Sequence, residues 1–99
     1  MFSRRIRVEY EEGDARRLAP LKWLDSFAMR SFTNDPVFDD TLPLADGLLE
    51  AGTRVPLPLL KERMEDWFRR KSYLPRDKNL LLREEPPPGA QQQEAANLP

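Results

Sequence analysis

The residues able to do bond-making chemistry are few, and two absences narrow the field most. Among 99 residues there is no Cys and no His. That removes thiolate nucleophiles, disulfide frameworks, the common zinc and Fe–S ligands, and the usual general base near neutral pH. Asp39 and Asp40 form a carboxylate pair that could hold a hard cation or act as acid and base. Adjacent side chains diverge unless a turn redirects them, and no DxDxDG calcium pattern surrounds them, so they read as an acidic turn. No glycine loop cradles a phosphate, and no nucleophile has a base. The sequence therefore predicts no catalytic residue, no metal site, no cofactor and no enzymatic activity.

What remains is recognition. Arg4, Arg5 and Arg7 could meet an anionic lipid headgroup as a peripheral contact, or form a salt-bridged arm. Trp23 and Trp67 are natural anchors of a protein interface, or they pack the two helices together. The PPPG run containing Pro86, Pro87 and Pro88 could present a polyproline helix. Net charge is −1, but it comes in blocks. Residues 34–57 carry one Lys/Arg against five Asp/Glu, whereas residues 58–83 carry eight against four. Alternating blocks suit several local partners rather than one polyanion, which excludes nucleic acid as the main partner. No apolar run reaches the roughly 18 residues of a membrane-spanning helix.

These side chains need elements to position them. From Arg5 to Tyr10 charged and apolar residues alternate, so Ile6, Val8 and Tyr10 share one face of a strand. With no second strand in view, this N-terminal arm (1–19) either packs as an extended segment or adds to another protein's sheet edge. Pro20 opens a helix over about 20–32 with Trp23 and Phe27 on its apolar stripe. A second helix runs over about 58–71, where Leu60, Met64, Trp67 and Phe68 fall at i, i+4, i+7 and i+8. Residues between them read as an extended Pro-rich linker, with one helical turn at Leu48–Ala51 that Asp46 could cap. Leu80, Leu81 and Leu82 form an apolar knot suited to docking.

Apolar residues make up 39% of the chain and Pro accounts for 10 residues, so the intrinsic core looks thin. Residues 84–99 (EEPPPGAQQQEAANLP) are too polar to order themselves. The fold class expected is mostly α. A helical segment over 1–83, its two helices joined by an irregular linker, carries an 84–99 tail and does not fold by itself. Its partners would be the subunits of a large hetero-oligomeric complex, met through the apolar residues named above.

The order Trp23-Leu24-Asp25, Asp39-Asp40-Thr41, Arg54-Val55-Pro56 and Leu74-Pro75-Arg76 resembles subunit 7 of mitochondrial respiratory complex III, over about Trp23 to Arg76. The helix between Pro56 and Pro75 is shorter than in that family, and the Leu80 run and Pro-rich tail replace its helical C-terminal part. The resemblance implies a small, helical, non-catalytic accessory subunit on the matrix side of the inner membrane. It implies a part in the assembly and stability of a respiratory complex, or of ATP synthase. An Arg-rich, acid-free MFSRRIRV start is compatible with organelle import. The alternatives are an independently folded adaptor or assembly factor that binds one client through the Trp67 helix, and a filament- or microtubule-lining protein.

Overall fold

The computed structural model describes residues 3–31 and 41–85. In chain order the elements are β1 (Ser3–Glu12), β2 (Ala15–Leu18), α1 (Leu21–Ser31), β3 (Leu42–Ala45), β4 (Leu48–Gly52), α2 (Leu57–Arg70) and β5 (Leu80–Glu85). The expectation of a mostly α chain is overturned: five strands form one antiparallel sheet, and two helices pack against it. The N-terminal arm is a hairpin, the Pro-rich linker contains a second hairpin, and Glu84 and Glu85 belong to β5 rather than to a tail.

β1 is the hub. β4 pairs with its residues 3–7, β2 with 9–12 and β5 with 5–10. Because β5 overlaps both other partners, it occupies one edge of β1, while β4 and β2 lie end to end along the other. Val8 bridges that junction, donating its N–H to Gly47 O (2.8 Å) and accepting from Ala19 N–H (3.1 Å); Gly47 N–H in turn donates to Ala19 O (2.7 Å). A lone strand would be unstable, and this one finds all its neighbours within its own chain.

Turn chemistry makes the hairpins. Gly13, with φ +62°, is the first residue of the two-residue loop Gly13-Asp14, as a type II′ turn requires. Asp46-Gly47 closes β3 onto β4, with Gly47 at φ +70°. A Cβ there would stand 2.6 Å from Leu18 Cδ2, so the close approach as well as the turn demands glycine. Asp46 does cap a helix, though not the turn expected at Leu48, which is strand. Its Oδ1 accepts the Leu21 N–H of α1 at 2.6 Å.

Pro43 sits in β3, which read as linker because proline cannot donate to a ladder. β3 is an outer strand pairing only with β4, where proline is tolerated and blocks further pairing.

The even positions of β1 place Ile6 and Val8 on the helix-covered face, beside Leu49 and Ala51 of β4 and Leu80 of β5. α1 adds Trp23, Leu24 and Phe27, and α2 adds Leu60, Met64 and Phe68. The expectation that the chain needs partners to build a core is corrected accordingly. Of its five strands only β1 was read from the sequence, and together the strands contribute about a third of a contiguous interior.

α2 ends in a Schellman motif. Tyr73 N–H donates to Phe68 O (2.8 Å) and Ser72 N–H to Arg69 O (3.1 Å), with Ser72 at φ +64° where glycine is usual. The accompanying apolar contact is present, Tyr73 lying 6.3 Å from Phe68 between ring centroids. This tight stop turns the chain under the helix end and sends it into β5. Glu65 Oε2 receives Leu80 N–H at 2.9 Å and Arg69 Nη2 donates to Lys78 O at 2.8 Å, so the loop between α2 and β5 is tied to the helix. No helix of the described residues is long and apolar enough to cross a membrane.

Candidate partner-binding surface

Most of the apolar residues expected to touch a partner are spent inside. Ile6, Val8, Leu60, Met64, Phe68 and Leu80 are wholly buried, and Phe27 and Trp23 nearly so. Burial against their own sheet leaves them no surface to offer. Tyr10, Leu81 and Leu82 are half-buried, the last two as β5 residues opposite Glu9 and Val8. Pro86, Pro87 and Pro88 lie outside the described residues, as do Asp39 and Asp40.

The three N-terminal arginines do not form one basic cluster. Strand alternation sends Arg4 to one face and Arg5 and Arg7 to the other. Arg4 donates to Glu84 Oε1 (2.7 Å), Gly52 O (3.0 Å) and Val55 O, clamping β1, β5 and the entry to α2. Arg7 is paired with Glu85 at 3.0 Å. Only Arg5 is left exposed and without an ion pair among the described residues.

Trp67 is different. It is half-buried at the margin of the core, and its buried indole Nε1 has no hydrogen-bond partner. Arg70 and Lys71 lie over its ring, 5.4 and 5.0 Å from the centroid. These distances suit cation–π attraction. Their positions follow from helix geometry, since i+3 and i+4 neighbours share a face.

At the same helix end a shallow, solvent-open hollow of about 430 Å3 is lined by Asp66, Arg69, Arg70 and Arg76. Arg70 pairs with Asp66 at 2.9 Å, both side chains about two-thirds exposed. Arg69 is held by the Lys78 carbonyl and stands 4.0 Å from Glu65, while its Nε is buried and unpaired. Arg76 has no ion pair among the described residues.

Arg69 is directed to the Lys78 carbonyl, Asn79 and Glu65, which leaves the guanidinium groups of Arg70 and Arg76, whose planar forks suit an oxyanion. Among the described residues no group of three acidic, His or Cys side chains could hold a metal. Sequence reasoning placed Trp67 at an interface or between the two helices. It missed Arg76, which the Schellman turn brings back to the helix end; the basic excess of residues 58–83 is the signal that could have found it.

Elsewhere, Leu18, Leu21, Leu42 and Leu44 are exposed large apolar side chains, Leu18 lying against Gly47. Tyr10 has its pKa raised by burial first, then by its hydrogen bond to Glu12 and that carboxylate's charge.

No protein-family model, curated protein or solved structure matches the chain. Fold and surface together define an antiparallel α+β domain with a basic, tryptophan-bearing helix end. The segments resembling subunit 7 of respiratory complex III fall in α1 and in the loops flanking α2, except Asp39-Asp40. They sit in a sheet-containing fold and not the helical one that the resemblance implies.

Proposed function

We propose that this chain is an independently folded, non-catalytic binding domain that attaches to a protein partner through the C-terminal end of α2. The observation that carries the reading is Trp67, the one large aromatic of the apolar stripe that the core does not absorb, with two cations on its ring and an indole N–H lacking an acceptor. Trp and Arg concentrate binding energy at interfaces because each pairs a large contact area with a directional donor. The reading follows the adaptor alternative rather than the helical accessory subunit, since the contiguous core gives the chain its own means of folding.

Its test is a reconstituted complex carrying Arg70→Glu with Lys71→Glu, exposed changes that leave the core intact. The partner should dissociate from the doubly reversed chain. A complex that survives unchanged, with cross-links only on the outer sheet face around Arg5 and Leu42, refutes the assignment. Fractionation decides the host. Recovery with inner-membrane respiratory complexes supports the accessory-subunit role implied by the resemblance, and recovery elsewhere removes it.

A further inference from the structure

We infer that the occupant of the α2 helix end is an acidic peptide segment of the partner, and that Asp66 holds the place of that segment's carboxylate until it binds. The inference rests on the binding-domain reading and names the chemistry of what is bound. Arg69, Arg70 and Arg76 line the hollow with Asp66; Arg69 has Glu65 and Arg70 has Asp66, so the charge of Arg76 is the one left for an incoming carboxylate to balance. The Asp66–Arg70 pair is 2.9 Å long yet about two-thirds exposed on both sides. Such a pair is nearly neutral energetically in water, so a second carboxylate can replace Asp66 on the same guanidinium fork. Arg76, unpaired, supplies the second clamp.

Arg70 has two occupations at once, pairing with Asp66 and covering the Trp67 ring. A ligand that draws Arg70 off the Trp67 ring leaves Lys71 as the one cation there and changes the surroundings of the indole. Binding at the arginines is therefore felt at Trp67.

Nucleic acid fits less well. Glu62, Glu65, Asp66 and Asp77 interleave with the cations of this stretch, and the sequence pI is about 5.5. A phosphodiester chain extending beyond the hollow meets like charge, whereas a few carboxylates need only the local arginines.

The chain contains two tryptophans, so the 15N spectrum of the intact protein has two indole resonances. Trp23, 7% exposed and stacked on Tyr73 at 5.3 Å, is the internal control. Titration with a short polyglutamate peptide should move the Trp67 resonance to saturation and leave Trp23 in place. Asp66→Asn should tighten binding about 3-fold, the order set by one exposed charge. Arg76→Glu should weaken it by about 10-fold at low salt, with an unmoved Trp23 resonance showing that the fold is intact.

A Trp67 resonance that ignores polyglutamate in both the native chain and Asp66→Asn overturns the proposal. So does an equal or larger response to inorganic phosphate or to polyuridylate of matched charge. The two readings fail separately. Polyglutamate binding together with a complex indifferent to Arg70→Glu/Lys71→Glu removes the interface but keeps the anion preference; the reverse result keeps the interface and removes the acidic occupant.

Discussion

Trp23 and Trp67 hold equivalent places on the apolar stripes of their helices, and the fold gives them opposite tasks. Trp23 stands over the middle of the sheet, with Tyr10, Phe68 and Tyr73 around it at 4.8, 5.4 and 5.3 Å. Trp67 sits one position before Phe68, on the flank of α2 at the margin of the core, and Arg70 and Lys71 lie over its ring. An aromatic becomes core or anchor according to whether the sheet reaches it. The arginines repeat the lesson: Arg4 is consumed by carbonyls and Glu84 inside the fold, while Arg76 is left to solvent.

The contrast can be broken by substitution, and Trp23→Ala should have the largest effect. Removing the hub of the aromatic cluster is expected to cost about 4 kcal/mol, measured by chemical denaturation. A loss below about 1 kcal/mol would deny Trp23 its central place. Arg4→Ala comes next at about 2 kcal/mol, because it takes the shared donor from two part-buried carbonyls, Gly52 O and Val55 O. Trp67→Ala should cost only about 1 kcal/mol, the yield of partial burial, while abolishing partner binding. Equal destabilisation by the two tryptophan changes would erase the distinction between core and anchor.

Smaller still is the alkaline response of Tyr10. Its folded-state pKa lies above the unfolded one, so the group's contribution is complete below about pH 10 and is lost as pH rises through the folded value. Tyr10→Phe should flatten the decline of stability in that range, read from melting temperature against pH. Arg76→Ala should shift folding stability by less than about 0.5 kcal/mol yet weaken binding to the partner. Any larger loss of stability would make Arg76 a structural residue like Arg4.

Both helices were legible because their signals are local. Pro20 and the Trp23/Phe27 stripe mark α1, and Leu60, Met64 and Phe68 recur at i+4 in α2. The hairpins left signals too, Gly13-Asp14 and Asp46-Gly47, but each flanks strands that do not advertise themselves. β2 is Ala-Arg-Arg-Leu, and β3 carries a proline. Leu80 to Leu82 read as a docking knot because their partner on β1 lies some seventy residues away, Val8 facing Leu82. At the candidate site, Trp67 was visible from spacing, but Arg76 is brought back to the helix end only through the αL residue Ser72.

Helix faces, the basic excess of residues 58–83, an alternating β1 and the lack of Cys and His chemistry are all local or compositional, and so could be read along the chain. Which apolar faces are spent internally, and which cations stay unpaired, depends on how distant segments pair in space. Antiparallel pairing joins Arg5 to Glu85 and Ile6 to Leu49, and no local periodicity encodes which distant strand will fill an edge. Until that edge is filled, a core residue and a partner contact have the same pattern.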